Sequence, residues 1–467
     1  EIGNYTSIPI EITLNQAVQE FYYFVDFKDL KLNDDNIKYY FEIFDNDQVV
    51  GSKSTKTRDF QYNYLSFSEL TEKSDSLNQN ISNNFSKATS LLNELQSDIN
   101  EFQKKSVNEN FSDWEMQNFM DNILKKQQTL EQLMKEMQQD NEEKNNNQNT
   151  FSEQQQEILE KQKMIEDLLN ELMTDEIKEL LKQIEEMREK LDQNLLNELT
   201  EKLEKSYKDL NNNLDRDLEL LKQMQVEEKV ESAKNQLDEL AEKMNKLSEE
   251  TKENENSLDK VSEKQEEYAK EFNQIMEEYE NAKELNEELE NQMNLEDFSE
   301  DENNINQDMS ESSQSLQEGN RRKSSKSQQG ASEKMKQLSE KMSDMMASNS
   351  MQQTSENMED LKQLLTNLIN FSFAQEHLIE LTKSSYVNDP SYNDIILQQN
   401  NLTSDFEIIN DSLDAIAKRV PQIGTPVFTA LSDINENLTL INENLKSKKS
   451  STAAIKQQFV MTYTNDL

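Results

Sequence analysis

Apolar side chains recur every three or four residues from Val226 to Met293. Val226, Val230, Ala233, Leu237, Leu240, Met244 and Leu247 are spaced 4-3-4-3-4-3. The phase carries on through Thr251 and Asn254 to Leu258, Val261, Gln265, Tyr268, Phe272, Ile275, Tyr279, Ala282, Asn286, Leu289 and Met293. Sixteen of these twenty positions are apolar, and the residues between them are mostly Glu, Lys, Gln, Asn and Asp. A repeat of about 3.5 residues held that long predicts helices packed along a narrow seam. Thr251 to Ser257 interrupts the seam with polar residues. An antiparallel hairpin folding there competes with one continuous rod, and the hairpin is the expected form.

The pattern differs before the seam. Over residues 1–66 the period is two. Ile8, Ile10 and Ile12 alternate with smaller or polar residues, and Phe21 to Val25 and Tyr39 to Phe44 are aromatic and β-branched runs. Such runs suit a pleated surface, so this stretch reads as a partial antiparallel β module, immunoglobulin-like, with a last strand within Thr57 to Tyr64. Residues 67–150 read as a helical hairpin whose second helix starts near Ser112, with an Asn-rich break over Asp140 to Thr150. Residues 151–309 read as long coiled-coil helices. Ser310 to Gly330, rich in Ser with Gly at both 319 and 330, reads as a flexible linker.

Residues 331–467 read as a Met-rich helix leading into a helical bundle. Met335, Met342, Met345 and Met346 precede the greasiest segment, Met358 to Leu381. Leu402 to Val420 and Val427 to Leu445 each repeat at 4-3-4-3-4 around Pro421, Gly424 and Pro426, which predicts an antiparallel pair. The expected fold class is therefore mainly α: long hairpins or coiled coil and a C-terminal bundle, behind a small β module.

Composition sharpens this picture. Only 33% of residues are hydrophobic and 31% are charged, which suits narrow helical seams better than one deep core. Five Gly, and no Pro between Pro9 and Pro390, leave few helix breakers. With 94 acidic against 49 basic residues, the formal charge is -45. That balance argues against nucleic acid and against a basic face docking on anionic lipid. No apolar run reaches the length of a membrane span. The chain reads as an internal piece of a longer protein, so membrane attachment is expected only through a segment outside it.

Candidate chemistry is sparse. Zero cysteines exclude disulfides and thiolate metal sites, and the single histidine, His377, excludes multi-histidine zinc sites. No Gly-Lys pair exists for a phosphate-binding loop of the nucleotide-hydrolase type. Asp45-Asn46-Asp47 offers hard oxygen ligands, but its spacing fits an Asx-rich turn better than a Ca²⁺ loop. The many paired carboxylates read as solvated helix faces. Arg321-Arg322-Lys323 reads as local relief of repulsion. No catalytic residue, cofactor or metal is expected. The residues expected to act are the seam positions Val226, Val230, Leu237, Leu240, Met244, Leu247, Leu258, Phe272, Ile275 and Leu289, as partner or self-association surfaces, together with a partner face at Leu365, Leu368, Phe371 and Phe373.

Three stretches carry a likeness to known proteins: Tyr39 to Asp47 with Gly51 and Lys53, Asp217 to Gln223, and Phe371 to Glu376. With the order of segments, they resemble a family of large bacterial proteins known as a domain of unknown function. In that family a membrane-anchored N-terminus is followed by β domains and a long helical tract. The resemblance implies a Gram-negative envelope protein anchored in the inner membrane, with this part in the periplasm; a cytoplasmic scaffold is the alternative. It implies no activity.

The function expected from the sequence is non-catalytic scaffolding by spacing and helix-mediated protein contacts. An acidic client-binding module, or a non-catalytic part of a larger membrane-anchored complex, is the alternative.

Overall fold

A computed structural model of the protein describes residues 8, 10, 36–45, 52–63, 67–106, 111–148, 163, 166, 167, 169, 175–187, 192–253, 257–386, 390–420 and 423–467. The chain divides into two compact units, Glu1–Asp75 and Ser76–Leu467. The protein is mainly α, with ten helices among the described residues.

The first unit contains β1 (Asn36–Tyr39), β2 (Glu42–Phe44), β3 (Ser54–Lys56) and β4 (Phe60–Asn63). β1 pairs with β4 and β2 with β3, both antiparallel. The register slips by one residue between the two ladders, Asn36 facing Asn63 but Glu42 facing Lys56. Phe41 and Thr57 bridge the slip: Phe41 N donates to Thr57 Oγ1 at 3.1 Å, and Thr57 N donates to Phe41 O at 2.9 Å. Asp45 closes the turn side by accepting Lys53 N on its carboxylate at 2.8 Å. The strands expected at Ile8–Ile12 and Phe21–Val25, on which an immunoglobulin-like sandwich rests, lie mainly outside the described residues.

The second unit holds α1 (Phe67–Ser106, which begins before the division), α2 (Asp113–Gln148), α3 (Asp175–Glu186), α4 (Gln193–Glu253) and α5 (Leu258–Glu287). It continues with α6 (Ser299–Gln317), α7 (Arg321–Ser384), α8 (Ser391–Ala417), α9 (Thr425–Lys446) and α10 (Ser450–Asp466). Local chemistry sets the starts. Ser112 and Glu115 form a capping box on α2, Glu115 N donating to Ser112 Oγ and Ser112 N to the Glu115 carboxylate. Asp192 accepts two backbone N–H groups at the start of α4, and Ser257 accepts one from Lys260 at the start of α5.

The helices assemble around three apolar cores. The first joins α1, α2, α3 and the N-terminal half of α4. The second joins the C-terminal half of α4 to α5, α6 and the N-terminal half of α7. The third joins the C-terminal half of α7 to α8, α9 and α10. In the second, Lys243 meets Glu271, Gln236 meets Glu278 and Lys264 meets Glu250 across α4 and α5. Each pair sums to 514, which marks an antiparallel hairpin turning at residue 257. The expected fold at Thr251 to Ser257 is thus the hairpin, not the rod.

Two expectations are corrected. Ser310 to Gly330 is not a flexible linker; it is the end of α6, a tight turn and the start of α7. Its serines are small enough to let helices approach closely. Ser325 Oγ donates to Ser248 O across the core, and just beyond the stretch Ser332 Oγ donates likewise to Ala241 O. At Gly330 a Cβ would lie 2.9 Å from the Asp308 carboxylate. Gly319, at φ 75°, ends α6 in a Schellman motif, its N–H bonding to Leu316 O and that of Asn320 to Ser315 O. The Asn320 side chain then caps α7. Nor does the Asn-rich stretch from Asp140 break its helix: α2 runs to Gln148, with Asn141, Lys144 and Asn145 turned inward.

Candidate functional site

The ten seam positions do not form a surface. Val226, Val230, Leu237, Leu240, Met244, Leu247, Phe272, Ile275 and Leu289 are buried, and Leu258 is half-buried against the second core. Helices of the same chain cover them, so the expectation that they meet a partner or a second copy is corrected. An amphipathic helix shows which face it buries but not against what.

Each core carries a polar layer that periodicity alone passes over. In the first, Tyr207 of α4 donates its hydroxyl to Gln127 Oε1 on α2 at 2.8 Å. Burial, with Glu131 adding, pushes the Tyr207 phenol well above its ordinary pKa. In the second, Gln265 Oε1 accepts from Ser312 Oγ at 2.9 Å and Gln328 Nε2 at 3.0 Å, and Ser312 and Ser324 share a further hydrogen bond. In the third, Gln375, Gln399 and Gln457 of α7, α8 and α10 meet with no exposure. Such layers set register, because a slipped helix would leave each amide unpaired in an apolar interior.

Charge is arranged at the joints between the cores. Arg216 and Asp217 on α4 form an ion pair at 2.9 Å with side-chain exposures of 3% and 1%. Arg216 also reaches the carbonyl of Ile423 and lies over the Phe428 ring. Lys205 pairs with Glu436 at 2.9 Å and Asp433 at 3.3 Å on α9. Burial works against its charge, but these carboxylates outweigh that and hold the ammonium above its ordinary pKa. Arg419 pairs with Asp360 at 2.8 Å, tying the end of α8 to α7. Buried Lys144 lies 3.2 Å from the Glu228 carboxylate, an electrostatic contact outside hydrogen-bond geometry.

The expected partner face on α7 splits in two. Leu368 and Phe371 are 7% and 3% exposed and belong to the third core, whereas Leu365 and Phe373 are 57% and 65% exposed. With Met351, Met358, Leu361 and Ile369, the latter two form an outward stripe along one helix. The methionines divide likewise: Met335, Met342 and Met345 are core, Met351 and Met358 exposed. His377 is exposed on α7. Arg321 to Lys323 form the first turn of α7. Among the described residues no group of three or more His, Cys, Asp or Glu is placed to hold a metal, and no helix is long and apolar enough to cross a membrane. A polar hollow between α1 and α2, of about 350 Å³, is lined by Asn80, Asn84, Lys87, Glu136 and Asp140 among others.

No protein-family model matches the chain, and comparison with curated proteins and with solved structures gives no match.

Proposed function

We propose that this chain is a non-catalytic spacer and docking scaffold of the bacterial cell envelope, which holds a distance and offers helix faces to protein partners. One observation carries the reading. α4 and α7 each run unbroken from one packed core into the next. At 1.5 Å per residue each extends about 90 Å. Bending either at a joint would expose side chains such as Leu221, Val226 and Val230 to water, at roughly 1.5–3 kcal/mol apiece. Stiffness therefore comes from core packing that continues through the joints. The exposed stripe of α7 supports the docking part. The envelope placement rests on the resemblance of the β module and of Phe371 to Glu376, and attachment to the inner membrane would come from outside this chain.

The test is photo-crosslinking in cells of the native host, with the crosslinker at Leu365, at Phe373 and, as a buried control, at Leu368. Protein adducts from the first two but not the third, recovered with the inner membrane, are expected. Absence of adducts from all three would remove the docking role, and recovery with soluble proteins would move the scaffold to the cytoplasm.

A client-binding module is the second reading, favoured by the exposed Met and Phe side chains. Suppression of aggregation of an unfolded client by the wild type but not by Phe373→Ser would favour it. Phe371 is unsuited to that test because it is core.

A further inference from the structure

We propose that the outer stripe of α7 docks a basic amphipathic helix of another protein; this rests on the scaffold reading and names the chemistry of the partner. α7 is apolar on two faces. Leu364, Leu368, Phe371 and Leu378 fill the third core. Met351, Met358, Leu361, Leu365, Ile369 and Phe373 point outward, spaced 7-3-4-4-4. A soluble helix normally keeps one face polar, so apolar residues on a second face mark a helix packed on both. The 23 residues from Met351 to Phe373 rise about 33 Å, the length of six helical turns, and steps of three, four and seven match the i, i+3, i+4, i+7 anchors of a helix laid alongside.

Charge identifies the occupant. The 3-4 run continues beyond Phe373 as exposed Glu376 and Glu380, with Lys383 at the last turn, and exposed Asp344 lies one heptad before Met351. The stripe is thus bracketed by carboxylates, with exposed Lys362 inside it between Met358 and Leu365. A second copy laid antiparallel about position 362 would set Asp344 against Glu380 and Lys362 against itself. Two such chains also carry -45 each. Self-pairing therefore places like charge on like charge, whereas Lys or Arg at the ends of a partner helix would meet the carboxylates and gain in encounter rate and register.

The experiment uses the full chain and two synthetic helical peptides with the same Leu seam, one with Lys at its ends and one with Glu. Fluorescence anisotropy should show the Lys peptide binding at least tenfold tighter than its Glu twin at low salt. The gap should narrow between about 0.05 and about 0.5 M salt as screening sets in. Leu365→Asp with Phe373→Asp should lose at least tenfold in affinity while circular dichroism stays unchanged, since both positions are exposed. Glu376→Lys with Glu380→Lys should narrow or reverse the preference. Equal binding of the two peptides, binding of neither, or dimerisation of the chain abolished by Leu365→Asp would each overturn the proposal. Crosslinks from Leu365 in cells, with no preference between peptides, would leave the scaffold reading standing and remove only the basic partner.

Discussion

Gln375 and Gln399 exchange amide hydrogen bonds, 3.2 Å in one direction and 3.1 Å in the other, between α7 and α8 in the interior of the third core. Gln457 of α10 donates to the same Gln399 oxygen at 2.8 Å. One residue thus joins three helices at one level.

Gln399→Leu should cost about 2–4 kcal/mol, because it strands polar groups of Gln375 and Gln457 in an apolar core. Replacing all three glutamines by Leu should recover most of that loss but relax the register. Urea denaturation reads the first effect and amide dispersion in NMR the second. A neutral single variant would show that the layer does not hold the helices.

Lys448 and Gly319 occupy equivalent positions in two Schellman motifs, at φ 59° and 75°. Only Gly adopts this left-handed conformation without a Cβ clash. Lys448→Gly should therefore stabilise the chain by about 1 kcal/mol, and Gly319→Ala should destabilise it by a similar amount. Thermal denaturation would show opposite shifts in Tm.

Leu237→Asp with Leu240→Asp should cost more than about 4 kcal/mol by burying two carboxylates among apolar side chains. Because the seam is internal, the variant should lose helicity in circular dichroism rather than dissociate in sedimentation. A change in assembly at constant helicity would return the seam to the surface.

Burial first, then Asp411, raises the Asp414 carboxyl above its ordinary value of 3.8, with Lys418 and Lys208 working the other way. A raised acid favours the protonated folded state. Its penalty is absent below the unfolded pKa and grows as pH rises through the folded one. Asp414→Asn should therefore raise Tm at pH 7 and have little effect at pH 3. Equal shifts at both values would separate Asp414 from this role.

The interior faces of the Val226 to Met293 seam and of the two helices that follow Asp389-Pro390 were legible in the chain. Leu402 to Val420 and Val427 to Leu445 pack as the antiparallel pair their spacing implies, with Asn435 reaching Asn410 and Asn442 reaching Thr403. Ser310 to Gly330 misled because Ser and Gly serve both loops and close helix contacts, and only the neighbouring helix distinguishes the two uses. Lys144 and its Asn neighbours misled for a related reason. Polar composition suggested a break in the helix, whereas α2 continues and its end is buried at the joint where α4 passes from one core to the next.

Periodicity and scarce breakers determined that this protein is mainly helical and which side of most helices seeks shelter from water. Those are local properties, decided within one or two turns. Which stripes meet was decided only in three dimensions, because apolar stripes of similar spacing are nearly interchangeable and pairing depends on residues distant in sequence. The same physics turned the seam into the chain's own interior and left one side of α7 bare.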